Sequence, residues 1–211
     1  HNRVYIIKES IVKAKNLMLC ALFAALTAAS TFLPKIPIPG TPLMFTFQTF
    51  FVFLTGLMLE PRHALISQLV YMALGLVGLP VFMNGGGLSY VLEPSFGFII
   101  GFAVCAFLTS LLARRQVIAS LKAEGRRDRA LAALKAALGA LASLLAMYVI
   151  AVIYMYLIYT LYLGQSTALP VLAVSMGVFL LMDSVKFVLA ALIGAAVLRR
   201  LSGAGPRKYA G

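Results

Sequence analysis

Two ionisable residues stand inside an otherwise apolar stretch near the C-terminus, GVFLLMDSVKFVLAALIGAAVLRR, where Asp183 and Lys186 are three positions apart. That spacing puts both on one face of a helix. A charge at the centre of a membrane span costs about 2.5–3.5 kcal/mol on insertion scales, so the pair needs a use that compensates it. Two uses are open. The carboxylate and ammonium can neutralise each other and hold helices together, or they can meet a ligand, the carboxylate accepting two N–H bonds and the ammonium facing an acid group. Further polar residues fall near the same end of their segments: Gln48 in FTFQTF, and Asn84 and Tyr90 in PVFMNGGGLSYVLEP. Asn84 offers donors and acceptors. The run Gly85, Gly86, Gly87 permits close backbone approach and positive φ, and equally suits a plain turn. It lacks the GxxxxGK[ST] pattern of a phosphate loop. No catalytic constellation accompanies these groups: the one internal histidine, His63, falls on the opposite side of the apolar segments from Asp183, so neither a Ser-His-Asp set nor a His-based metal site is expected.

The elements that must position these residues are membrane spans. Of 211 residues, 62% are hydrophobic and 11% charged, with a mean hydropathy of +0.99. Water-soluble domains carry about 25% charged residues, so this composition excludes an ordinary soluble fold. Spans need roughly 20 apolar residues to cross a core of about 30 Å. Six segments qualify, near 16–33, 43–59, 64–82, 95–113, 140–163 and 176–198, making an all-α polytopic bundle in a single domain over 1–211. The connection 114–135 (RRQVIASLKAEGRRDRALAALK) is the one long polar piece, either a topology-setting linker or a docking surface, running partly as a helix beside anionic lipid heads. The mixed first fifteen residues do not read as a secretory signal peptide. Cys20 and Cys105 lie in apolar runs and read as small buried hydrophobes.

The net charge of +12 comes from 18 Lys and Arg against 6 Asp and Glu. Sixteen of the eighteen basic residues fall before span one, between spans two and three, between four and five, or after six. By the positive-inside bias these connections and both termini are cytoplasmic, and the lipid bilayer rather than nucleic acid is the partner of that charge. Lys35 alone lies in an outward loop. Counting back from Arg199 at about 1.5 Å per residue puts Asp183 some 24 Å and Lys186 some 20 Å above the inner boundary. Gln48 is then roughly 8 Å deep on the same outer side. Two stripes of small residues invite close helix packing: Ala21, Ala25 and Ala29 in span one, and Gly97 and Gly101 in span four. Packing within the subunit suffices for the glycines; the alanine stripe suits an intermolecular contact equally well. Tyr154, Tyr156, Tyr159 and Tyr162 read as an interfacial aromatic belt.

IPIPGTPLMFTFQTF, YMALGLVGLPVFMNGGGLSYVLEPSFGFIIGF and MDSVK, in this order and spacing, resemble the BioY family, the biotin-binding S components of energy-coupling factor (ECF) transporters, over residues 14–200. The resemblance implies six helices and a substrate pocket near the outer surface, closed by the loops after spans one and three. It also implies a span-one AxxxA face, here Ala21, Ala25 and Ala29, that docks on a transmembrane coupling protein carrying two ATPases. Asp183 and Lys186 match the span-six Asp and Lys of the family; Asn84, the glycines after it including Gly86, and Gln48 match positions in or beside the pocket. Glu93, Pro94 and Ser95 depart from the Gly-Pro-Thr of many relatives. The implied function is capture of biotin in the prokaryotic plasma membrane, with Asp183 accepting from the ureido N–H groups, Asn84 completing that edge, and Lys186 or a loop amide meeting the remaining acceptor or the carboxylate. Phe82, Tyr90 and Phe45 are expected over the apolar ring. No cofactor is implied, since ATP is used only by the partner subunits. A stand-alone secondary carrier, with Asp183 and Lys186 as an ion-coupled gate, is the alternative, and an enzyme is disfavoured.

Overall fold

The structure, a computed structural model, describes residues 2–37, 44–164 and 169–201. Among these, α-helix forms α1 (Asn2–Ala29), α2 (Gln48–Met58), α3 (Pro61–Leu76), α4 (Phe96–Leu108), α5 (Arg115–Lys122), α6 (Arg126–Leu157) and α7 (Leu169–Leu201). A π turn over Thr109–Arg114 fuses α4 to α5, and another extends α6 to Tyr162. The result is six rods.

Their lengths differ from the sequence expectation in ways the residues explain. The second span, expected over 43–59, is an eleven-residue helix. Residue Glu60 precedes Pro61 and is held extended, which ends α2 and lets Pro61 occupy the first turn of α3. The third, expected over 64–82, stops at Leu76, and Gly78 then turns at φ +117°. Among the described residues, four stretches are long and apolar enough to cross a membrane: Lys13–Phe32, Phe96–Lys122, Arg126–Tyr162 and Phe179–Arg200. The connection at 114–135 is mostly helix, broken only at residues 123–125, where Ala123 and Gly125 are extended. Its Arg, Lys, Ala and Leu residues are good helix formers, so α6 starts well before the apolar run.

Packing follows the small residues. In α1 the buried face is Cys20, Phe23, Ala24, Thr27 and Ala28, the helical spacing of an inward stripe. Ala21, Ala25 and Ala29 lie on the other face and are exposed. Gly97 and Gly101 let α4 press on α6: a Cβ at Gly97 would sit 2.6 Å from the Cβ of Tyr154, and one at Gly101 2.7 Å from Cγ of Met147. That stripe is therefore spent inside the subunit. The bundle's outside is apolar, with Leu181 73% and Leu192 64% exposed, as in a protein whose solvent is lipid.

At the end of the bundle where α1 finishes and α2 begins, called here the site end, two connections fold over the helices. A short antiparallel ladder, β1 (Ile36–Pro37) with β2 (Met44–Phe45), pairs Ile36 with Phe45 and Pro37 with Met44. The α3–α4 connection makes a tight turn in which Phe82 and Gly85 exchange backbone hydrogen bonds, then a 3-10 turn over Leu88–Leu92. Lys35 Nζ donates to the carbonyl of Met83 and ties the two connections together.

Candidate functional site

The three-residue spacing on α7 does bring Asp183 and Lys186 to one face, and that face is buried: Asp183 is 4% and Lys186 5% exposed. Lys186 Nζ donates to Asp183 Oδ1 at 2.6 Å. The second carboxylate oxygen, Oδ2, accepts from the Tyr148 hydroxyl of α6 at 2.6 Å. Lys186 has two further partners on the segment leading into α2. Its Nζ donates to the Thr46 carbonyl at 2.5 Å and sits 3.8 Å from the centroid of the Phe45 ring. The ammonium is thus matched by a carboxylate, a carbonyl and an aromatic face.

These groups line a cavity of about 60 Å³. Thr46 contributes from the segment leading into α2, Gln48 and Thr49 from its first turn, and Met83, Tyr90 and Ser95 from the α3–α4 connection. Phe98, Ile99 and Phe102 come from α4, Tyr148 from α6, and Phe179, Asp183 and Lys186 from α7. A few polar groups converge in apolar walls, the usual make-up of a small-molecule site. Pockets that enclose a drug-sized ligand run from roughly 300 Å³ upward, so such a ligand enters only if the lining moves.

Gln48 is buried at the cavity's edge, and its two ends have separate tasks. Its Nε2 donates to the Tyr71 hydroxyl at 2.6 Å and to Thr31 Oγ1 at 3.0 Å. Both hydroxyls donate onward to the Val81 carbonyl, at 3.1 and 2.7 Å. The amide nitrogen is therefore spent on fastening α2, α3, the loop and the turn after α1, while Oε1 faces Thr46 Oγ1 at 3.5 Å. Tyr90 is buried, shares a 3.0 Å hydrogen bond with Ser95 and meets the Phe82 ring at a tilt, with centroids 4.7 Å apart. Burial pushes its phenol above the ordinary tyrosine range, so it stays a neutral hydrogen-bonding group.

Other anticipated residues sit elsewhere. Asn84 is exposed in the Phe82–Gly85 turn and does not line the cavity. Gly86 acts through its backbone: a Cβ there would lie 2.1 Å from the Leu79 carbonyl oxygen, so only glycine lets the loop close on itself. Phe82 is a core residue among Tyr71, Tyr90 and Phe96 rather than a lining group. Phe45 lies under Lys186. Tyr148 and Ser95 were not anticipated as lining residues. Tyr148 carries a signal in hindsight, since it belongs to the α6 stripe Leu144, Met147, Tyr148, Ala151, Met155 that faces inward. A hydroxyl on an inward stripe of a membrane helix must find a partner.

The BioY family's sequence model matches residues 6–203, nearly the whole chain. The chain belongs to the BioY family. It is 52% identical over 100 residues to a probable biotin transporter BioY of Lysinibacillus sphaericus, which is 47% of this chain and 50% of that protein. To the biotin transporter BioY of Rhodobacter capsulatus it is 40% identical over 103 residues, 48% of this chain and 53% of that one. The matched stretch thus spans about half the length of these curated relatives. Among solved structures, the S-component for biotin from an ECF-type ABC transporter superposes with a TM-score of 0.73 at 23% identity, over 89% of this chain and 92% of that one. A second S component of a bacterial ECF transporter gives a TM-score of 0.50 at 18% identity, over 92% and 99%. This BioY-family chain therefore has the S-component fold, as a multi-pass membrane protein whose relatives are named as transporters.

Proposed function

We propose that this chain is the biotin-capturing S component of an ECF-type uptake transporter. The observation that carries the reading is the buried Asp183 carboxylate, the one acidic group among the described residues of the cavity lining, set among polar donors inside apolar walls. Biotin pairs a cyclic urea, with two N–H donors and one carbonyl, with a thioether ring and a carboxylate-bearing tail. Asp183 suits the N–H edge, Phe98, Phe102 and Phe179 suit the ring, and the neutral hydroxyls of Tyr90 and Ser95 suit an acceptor. Lys186 meets a ligand acceptor once the Thr46 carbonyl and Phe45 ring move off it, which also supplies the missing volume. Asn84 joins the site only if its turn folds inward. The family relationship supports this ligand and the relatives' names agree with it.

The rest of the reading concerns partners and orientation. The distribution of basic residues supports cytoplasmic termini and a site end facing outward. Exposed Ala21, Ala25 and Ala29 form a smooth strip suited to a helix of a coupling protein. Transport then draws on ATP at two partner ATPases, and the chain itself performs no covalent chemistry and holds no cofactor. The test is calorimetric titration of the purified protein with biotin. Saturable one-to-one binding is expected, weakened at least about tenfold in Asp183→Asn, because a hydrogen bond to a charged group is worth about 1.5–3 kcal/mol. Equal affinity in the variant overturns the assignment of Asp183.

A further inference from the structure

We infer that Tyr148 is the positioning residue for the ligand-accepting carboxylate, its hydroxyl fixing Asp183 from a neighbouring helix. The inference rests on the reading of Asp183 as the ligand's acceptor. Lys186 reaches Asp183 Oδ1 from the same helix, three residues on, so those two side chains can swing together without leaving each other. The Tyr148 hydroxyl reaches Oδ2 from α6 and removes that freedom. The tyrosine ring is itself pinned: it is 6% exposed and meets Phe98 of α4 edge-to-face, with centroids 6.0 Å apart at 88°.

Outside the cavity, the described surroundings give the hydroxyl no other employment. On its far side the ring borders a groove between α6 and α7 lined by Val149, Val152, Met176, Gly177 and Leu180, with no polar side chain. Among the described residues Asp183 is the one hydrogen-bond partner of the Tyr148 oxygen. A phenylalanine would fill the same space without a polar atom to desolvate, so packing alone does not call for tyrosine. A donor held on Oδ2 also leaves lone pairs free, since a carboxylate has about four acceptor sites. Asp183 is thereby aimed at the cavity with acceptor capacity to spare for incoming N–H groups.

A hydroxyl that only cements α6 to α7 would have different consequences, and a double-mutant cycle separates the two. Tyr148→Phe is expected to weaken biotin binding about tenfold in calorimetry, the loss of one hydrogen bond to a charged group. In the Asp183→Ala background, which leaves the tyrosine hydroxyl no acceptor at this position, the same change is expected to cost nothing further. An equal factor in both backgrounds, or no change in either, overturns the inference. A second readout needs no ligand. The infrared carboxylate band of the Tyr148→Phe protein should shift relative to wild type, and the shift should vanish in the Asp183→Asn background. The reciprocal Asp183→Asn variant should move the tyrosine C–O band, which reads the same bond should Tyr148→Phe fail to fold. Unmoved bands overturn the inference whether or not biotin is the ligand, whereas absence of biotin binding in wild type overturns only the reading beneath it.

Discussion

Removing Lys186 alone should cost the protein more stability than removing Lys186 and Asp183 together. Both side chains are about 6% exposed and meet at 2.6 Å, so each is the other's chief compensation. Taking away one partner of a buried pair leaves an uncompensated charge and costs about 3–5 kcal/mol, whereas replacing both with uncharged groups of similar volume is often neutral. In Lys186→Met, Asp183 keeps its bond from Tyr148, which places the expected loss near the lower limit, about 3 kcal/mol. At roughly 2–4 °C per kcal/mol for a domain of this size, that is a fall in Tm of about 6–12 °C. The chain has no tryptophan, but its two cysteines, Cys20 and Cys105, are free and buried. Labelling of these thiols by a fluorogenic maleimide during a thermal ramp in detergent therefore reports unfolding. Asp183→Asn combined with Lys186→Met should melt above Lys186→Met alone. A Lys186→Met protein within about 2 °C of wild type, or losses that simply add, would refute a buried pair of this kind.

Gly86→Ala should lower the yield of folded protein and its Tm, read in the same thiol-labelling ramp, because its Cβ has 2.1 Å to the Leu79 carbonyl oxygen, which is backbone and has little room to give. A wild-type melting curve would show that the loop does not pack as described. Ala25→Leu should leave biotin affinity of the isolated protein unchanged, since the side chain is exposed on the face of α1 away from the core. The same substitution should reduce co-purification with a coupling protein and its ATPases, by pull-down from membranes, and an undiminished complex would remove this strip from the docking face.

Much of this arrangement was legible in the sequence because it depends on periodicity. A three-residue spacing fixes Asp183 and Lys186 to one face whatever surrounds them, and the GxxxG of α4 meets α6 because only glycine allows that approach. The alanines of α1 divide cleanly, Ala24 and Ala28 inward and Ala21, Ala25 and Ala29 outward, as 3.6 residues per turn demands. Contacts between distant segments were not legible. Nothing local marks the Thr46 carbonyl as a partner for Lys186, 140 positions away, since any residue carries a carbonyl. In the sequence, Tyr148 stands beside a more conspicuous row of tyrosines, Tyr154 to Tyr162, that follows it on the same segment. Asn84 was anticipated at the site from its chemistry, yet the Phe82–Gly85 turn leaves it exposed. The lengths of α2 and α3 depended on Pro61 and Gly78, whose effect on backbone geometry outweighs hydropathy at those points.

On the reading proposed above, a chain with the S-component fold holds biotin in the cavity around Asp183. Native mass spectrometry of the detergent-purified protein, mixed with a small excess of biotin and released gently from the micelle, tests this. Wild type should carry a single added mass equal to one biotin, much reduced in abundance on Asp183→Asn under the same conditions. No added mass on wild type, or an adduct equally abundant on both proteins, would contradict it.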